Sequence, residues 1–372
     1  MHMAGFRQEI RTWLADNLTG EFAVLRGAGG PGREHEYEDL RLAWDQHLAQ
    51  AGWTCLGWPT EHGGHDRSLS DQVIFHEEYA HANAPARVNH IGEHLLGPTL
   101  IAFGTPEQQR RFLPGIVAVR ELWCQGYSEP DAGSDLAAVR TTARLDGNHW
   151  IINGQKIWTS LAHVADWCFV LARTEPGSHR HHGLSYLLVP MRQPGVEVRP
   201  IRQLTGTAEF NEVYFTDARA TEIVGEPGDG WRIAMATLGF ERGVATVGQQ
   251  IGFRRELDAL IDLARHNQTI NDPIIRERLT RAWLELDVMR SYALCTLEGG
   301  AEPSVAKLFW ANWHQRLGEL AMAIKGRAGM VADNGLDEWQ RLFLFSRADT
   351  IYGGSNEIQR NIIAHRVLGL PR

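Results

Sequence analysis

A carboxylate stands in the middle of a small-residue, apolar stretch, MATLGFERGVATVG at Met235–Gly248, where Glu241 is followed at once by Arg242. An unpaired carboxylate is costly to bury, so such a group protonates, finds a partner or stays in water. Two readings follow: a solvated helix edge with an ordinary ion pair, or a general base kept dry and therefore basic enough to abstract a weakly acidic proton. Two other stretches carry polar groups suited to a ligand. LWCQGYSEPDAGSDLAAV is rich in Gly, Ser and Pro, and its exposed backbone N–H groups, with Ser128 and Ser134, suit an anionic or polar part of a cofactor. Ser134 reads equally well as a turn cap. NGQKIWTS ends in Trp158, Thr159 and Ser160, an indole beside two hydroxyls that can wall a flat heteroaromatic ring and offer it hydrogen bonds, or simply fill a core. HRHH, His179–His182, invites a metal, but no carboxylate or cysteine stands near it in sequence, and a solvated loop without metal is the reading adopted.

The elements that must position these groups fall into three blocks. From Phe6 to about Val119, segments such as FRQEIRTWLADNL, YEDLRLAWDQHLAQAG and DQVIFHEEYAHAN repeat apolar residues at three- and four-residue steps, the period of helices. Within this block GAGGPG matches a glycine-rich dinucleotide fingerprint in form only, with no strand before it or helix directly after it, and reads as a flexible connection. From Glu121 to about Val224 the period shortens to that of strands. VRTTARL, NHWII and QKIWTS are joined by Asp146-Gly147 and Asn153-Gly154, pairs typical of tight hairpins, and GLSYLLVP, VEVRPI and NEVYFTD continue the pattern. Beyond GEPGDGW, helical periods return over residues 231–265, 274–298, 302–325 and 337–351, with a last helix from about Ser355. The expected fold is α+β: an N-terminal helical domain over residues 1–120, a central β domain of antiparallel sheets or a barrel over 121–225, and a C-terminal four-helix bundle over 226–372.

Composition narrows the function classes. The chain has 372 residues, 43% hydrophobic and 22% charged, which describes a globular protein. A net charge of −8 argues against nucleic-acid and membrane-surface partners, since both need clustered Lys and Arg. No apolar run is long enough to span a bilayer, and the first residues lack the apolar core of a signal peptide, so a cytoplasmic location is expected. Cys55, Cys124, Cys168 and Cys295 are scattered without a CxxC, as packing residues in a reducing compartment are.

Taken together and in order, GYSEPDAGSD, NGQKIWTS and the C-terminal IYGGSNEIQRNIIAHRVLG resemble the signatures of the acyl-CoA dehydrogenase family, over nearly the whole chain. The resemblance implies an FAD-dependent flavoprotein that removes two hydrogens across Cα–Cβ of an acyl-CoA thioester, in fatty acid or branched acyl-CoA metabolism. It also implies an external electron acceptor such as an electron-transfer flavoprotein, and a homotetramer, with a dimer or heterotetramer as the other arrangements. By the same resemblance Gln125, Tyr127 and Ser128 line the flavin ring, Ser134 stands near the pyrophosphate and the substrate, and Trp158, Thr159 and Ser160 form the wall beside flavin N5. Ser355 and Glu357 match positions touching the ADP portion, and Gly326 matches a glycine-rich turn that meets it from a neighbouring subunit. Arg265 matches an arginine that reaches a neighbour's FAD, although ARHNQTIND departs from the usual Arg-x-x-Phe-Gly.

Most family members carry their catalytic base in a Tyr-Glu-Gly-Thr signature; here the stretch reads Tyr352-Gly353-Gly354-Ser355. A minority, the isovaleryl- and long-chain-type enzymes, place it in a Glu-Arg pair on the helix after the β domain, where Glu241-Arg242 stands. Glu241 is thus expected to be the base and Arg242 to approach the CoA portion, with Tyr352 and Gly353 at the acyl group and the Gly353 N–H on the thioester oxygen. The chemistry needs both parts, because raising a carboxylate's pKa by ~3–5 units through burial covers only part of the barrier and the developing enolate oxygen must also be stabilised. Glycine at 353 leaves volume that suits branched or bulky acyl chains. The rival readings are a flavin monooxygenase or nitroalkane-oxidising relative on the same fold, and a non-catalytic subunit of a heteromeric acyl-CoA dehydrogenase.

Overall fold

The computed structural model describes residues 2–240, 245–297, 299–332 and 335–371. Helices come first in the chain: α1 (His2–Asn17), α2 (Glu38–Gln50), α3 (Leu69–His81), α4 (Gly97–Phe103) and α5 (Pro106–Val117). A wide π turn over Gly92–Leu96 leads into α4. Helix α5 starts where it does because Thr105 and Gln108 cap each other reciprocally and Pro106 occupies a first-turn position that has no N–H to satisfy. The GAGGPG loop is not the loose connection its composition suggests. Carboxylate oxygens of Glu209 accept the N–H groups of Gly32 at 2.9 Å and Glu34 at 3.1 Å. The buried Arg41 guanidinium lies so close to Gly29 that a Cβ there would come within 2.3 Å of it.

The strands are β1 (Trp123–Gly126), β2 (Thr142–Asp146), β3 (His149–Ser160), β4 (Trp167–Arg173), β5 (Leu184–Pro190), β6 (Val196–Ile201), β7 (Phe210–Ala220) and β8 (Glu222–Val224). They form one eight-stranded sheet in the order β6-β7-β3-β2-β4-β5-β8, with β1 alongside β4. The expected antiparallel pairing holds for most neighbours, but β1 and β2 each run parallel to β4. Asp146-Gly147 makes the β2–β3 turn, whereas Asn153-Gly154 makes none: β3 runs straight through it. The register against β7 slips between Ile152 and Gly154, so the pair marks a bulge, and a Cβ at Gly154 would strike Thr141 at 2.4 Å. Strand β4, WCFVLAR, is buried along five consecutive residues, so it shows no two-residue alternation and reads poorly as a strand.

The last block holds α6 (Gly230–Phe240), α7 (Ala245–His266), α8 (Pro273–Leu297), α9 (Pro303–Lys325), α10 (Glu338–Asp349) and α11 (Asn356–Ile362). Helix α8 packs on α7 and α9, and α10 lies against α9. Leu257, Leu260, Leu279, Leu286, Trp313 and Leu317 form their shared core. By contacts the chain divides into a helical unit, Met1–Asp16, Val73–Asn83 and Val244–Arg372, and a second unit, Asn17–Gln72 and Ala84–Gly243, that carries the sheet. All four cysteines are free thiols. Three are buried, but Cys295 is exposed on α8 and so is not a packing residue. Among the described residues no helix is long and apolar enough to cross a membrane, and no three acidic, histidine or cysteine side chains gather as metal ligands.

Candidate active site

In the sheet unit the two motifs lie against each other. The Ile157 N–H donates to the Ser128 carbonyl at 2.9 Å, which places the chain after β1 beside the end of β3. Lys156, fully buried, anchors the junction. Its ammonium donates to Glu129 Oε1 at 2.8 Å and to the carbonyls of Tyr127 at 3.0 Å and Leu171 at 2.8 Å, so all three of its protons are used. Burial alone raises the Glu129 carboxyl pKa, but the Lys156 charge and the hydrogen bonds it receives outweigh this and hold it below the usual carboxylate range. Burial lowers the Lys156 pKa, and Glu129 opposes that shift. Glu129 also accepts the N–H groups of Arg140 at 2.6 Å and Thr141 at 2.9 Å, which closes the intervening loop on itself.

That loop carries Ser134 into solvent. Arg173 braces it from below, donating to the carbonyls of Val139 at 2.9 Å and Ala137 at 2.9 Å and also to those of Ser178 and His182. The HRHH tract is therefore a loop tied to the Ser134 loop through one guanidinium, and Arg180 pairs with Asp135 at 3.1 Å.

A second slip in the β3–β7 register, between Lys156 and Thr159, turns Trp158 outward with φ 60 and 55% of its surface exposed. Phe210 meets the indole edge-on at 6.1 Å. Trp158 is thus not a core tryptophan. Nearby Thr159 is fully buried, and its Oγ1 has no partner among the described residues; the same holds for Gln125 Nε2 on β1. Ser128 and Ser160 are half-buried, and Tyr127 is buried edge-on to Phe169 at 5.7 Å. An open aromatic face with orphaned amide and hydroxyl groups on adjoining strands fits a flat, hydrogen-bonding ring such as isoalloxazine.

In the helical unit the C-terminal signature forms a tight turn between α10 and α11. Gly353 and Gly354 both have positive φ, 63 and 84, which glycine adopts without strain. The buried Gln359 amide donates to both their carbonyls, at 3.0 and 3.2 Å, while the Gly353 N–H has no partner among the described residues. A Cβ at Gly353 would meet only Lys307 Cε, at 3.8 Å, so the side-chain direction is open. The Tyr352 hydroxyl donates to Asp349 at 2.7 Å. Ser355 caps α11 by accepting the Ile358 N–H, and exposed Glu357 pairs with Arg360 at 3.3 Å. Gly326, with φ 57, ends α9, and Arg265 near the end of α7 is exposed and pairs with Asp262 at 3.0 Å. Glu241 and Arg242 lie outside the described residues.

Among the described residues, buried charge clusters that the sequence does not announce include two beside these motifs. Lys156 and Glu129 both stand inside the quoted motifs, and their opposite signs were the available signal. The other, around His314 and Asp349, had none, because its members are far apart in the chain.

The chain matches the family models for the acyl-CoA dehydrogenase N-terminal domain over residues 4–120, the middle domain over 124–218 and the C-terminal domain over 228–368. It is 69% identical to acyl-CoA dehydrogenase IpdE1 of Mycobacterium tuberculosis, over 99% of this chain and 97% of that protein. Among solved structures it resembles the Tcur3481-Tcur3483 steroid ACAD, with 29% identity and a TM-score of 0.85 over 100% of this chain and 98% of that one. It likewise resembles the ChsE4-ChsE5 complex from Mycobacterium tuberculosis, with 31% identity and a TM-score of 0.81 over 100% and 98%.

Proposed function

The chain belongs to the acyl-CoA dehydrogenase family and is an enzyme of FAD-dependent acyl-CoA dehydrogenation, and from that premise we propose that Glu241 is its base and a bulky acyl-CoA its substrate. The observation that supports the reading is the junction of the two sheet motifs through Lys156 and Ser128, which joins the strand of Gln125 to the strand that carries Thr159 and the open Trp158 face. Those three, with Tyr127, Ser128 and Ser160, would hold the flavin ring; Ser134, Ser355 and Glu357 would meet its phosphate and adenosine portions, and Gly326 and Arg265 would reach the FAD of a neighbouring subunit. FAD, when bound, supplies the hydride acceptor.

The chain's own residues do the rest. Glu241 takes the proton from Cα, and the electron pair left behind delocalises toward the thioester oxygen, where the Gly353 N–H donates a hydrogen bond. The Cβ hydrogen then leaves with its electron pair, and the enoyl thioester remains. Arg242 and Ser134 steady the CoA portion, and Tyr352 adjoins the acyl group. An external acceptor, electron-transfer flavoprotein in the first instance, removes the electrons. The open direction at Gly353 supports a bulky acyl chain, as does the likeness to a steroid ACAD. Four free thiols fit a reducing compartment and support a cytoplasmic location.

Anaerobic titration of the yellow protein with straight, branched and polycyclic acyl-CoA thioesters, followed by loss of flavin absorbance, tests this. Polycyclic or branched thioesters should bleach fastest, and Glu241→Gln should slow bleaching by a factor of at least ~100, the scale of a lost general base. Bleaching at the wild-type rate in that variant removes Glu241 from the mechanism.

A second reading concerns assembly. Arg265 is engaged by Asp262 and lacks the usual following motif, and two structural relatives bear paired names. Both points favour a flavin site completed by a different chain over a homotetramer. Flavin well below one per chain in protein purified alone, rising when a second chain is co-expressed, decides for the heteromer.

A further inference from the structure

We propose that Asp349 is a positioning residue which, through Tyr352, holds the Gly353 N–H in line for the thioester oxygen. The inference rests on the role given to Gly353 above and assigns the machinery behind it. Each oxygen of Asp349 has one partner: Oδ1 accepts the Tyr352 hydroxyl at 2.7 Å, and Oδ2 lies 2.5 Å from His314 Nδ1. The other ring nitrogen of His314 is 3.0 Å from Glu256, so the imidazole bridges two carboxylates from α7 and α10. Lys307 on α9 donates to the Asp349 main-chain carbonyl and lies over the Trp310 and Tyr352 rings.

The peptide that carries the Gly353 N–H is thereby clamped at both ends. On its near side, Tyr352 is fixed through its backbone N–H to the Ala348 carbonyl at 3.0 Å and through its hydroxyl to Asp349. On its far side, Gln359 holds the Gly353 carbonyl at 3.0 Å. The clamp leaves the exposed Gly353 N–H available to a ligand, with no partner among the described residues. An oxyanion donor must be fixed before reaction to lower the barrier, and small misplacements of reacting groups cost large factors in rate.

The test uses the full-length, flavin-loaded enzyme and two variants chosen to disturb little. Tyr352→Phe removes one hydroxyl, and Asp349→Asn keeps the shape of the carboxylate. Both are compared at wild-type flavin content with cinnamoyl-CoA carrying a 13C label at its thioester carbonyl, an enoyl thioester that cannot be dehydrogenated further. Infrared difference spectra should show the bound C=O stretch at lower frequency than in water for the wild type, and most of that shift lost in both variants. The flavin-bleaching rate of the best thioester should fall about tenfold, less than the ~100-fold that losing a whole oxyanion donor costs.

The carbonyl shift decides. An undiminished shift overturns the proposal even if the rate falls, since the network would then be structural. If Asp349→Asn does not fold, Tyr352→Phe decides alone. A wild-type enzyme that no thioester bleaches would sink the underlying functional reading instead, a different result from a bleaching wild type with indifferent variants.

Discussion

At the scale of single residues, the candidate flavin face of the sheet unit rests on Lys156. A lysine with its charge wholly out of water stays ionised only if every proton finds an acceptor, and here Glu129 and two carbonyls provide them. Lys156→Met therefore leaves Glu129 buried with two backbone donors and no cation. We expect a loss of ~3–5 kcal/mol in urea unfolding, the usual cost of breaking a buried pair, together with loss of flavin. Lys156→Met combined with Glu129→Gln should lose less than the sum of the single changes, because each removes the same interaction; a strictly additive result would deny the pair. The sequence identified the indole and hydroxyls of NGQKIWTS because their types suit a ring, and it left Trp158 open between core and cofactor. The bulge removes the indole from the core, since slipping the register after Lys156 sends it outward. Lysine in a strand reads as solvent-facing, so the pattern alone does not reveal this buried anchor.

At the scale of elements, the helical unit is joined by a protonated histidine. Burial alone would lower the pKa of His314, but Glu256 and Asp349 outweigh it and raise the value from 6.5 to about 10. A group whose pKa rises on folding stabilises fully below its unfolded value and loses that contribution as pH climbs through the folded value. Unfolding free energy should therefore be flat in this respect below pH 6.5 and decline toward pH 10. His314→Gln should start lower and show a shallower decline over the same window, measured by urea denaturation at stepped pH. Equal slopes in the two proteins would mean the imidazole is not charged in the fold. The helices that present these groups were legible from their period nearly to the residue, as with 302–325 against the observed Pro303–Lys325. What period cannot convey is a buried strand without alternation, such as β4, or a glycine pair that bulges a strand instead of turning it, as at Gly154. Their outcome is fixed by neighbours distant in the chain.

For the whole molecule, the outstanding feature is an apolar stripe on α8. Leu284 and Val288, one turn apart, are 55% and 58% exposed, and at 100° per residue they share one side of the helix with the exposed Cys295; Ile274, 68% exposed, lies on the same side beyond the exposed Glu277–Arg281 pair. Surface apolar residues are ordinary when scattered, but a run along one helix face signals a partner. On the assembly proposed above, that partner would be another subunit, a copy of this chain in a homotetramer or a different chain in a heteromer. The overall order of helices, sheet and helices could be read from the sequence; this face could not, because a helix is amphipathic by the same period whether its second side meets water or a neighbour. Leu284→Glu with Val288→Glu places two charges on the stripe at positions one turn apart, where like charges repel each other and each must be desolvated on association. Light scattering of the flavin-loaded protein should then show a smaller species than the wild type, with the helical content of the chain retained in circular dichroism. If the assembly keeps its mass, α8 faces solvent and the subunit contact lies on another surface.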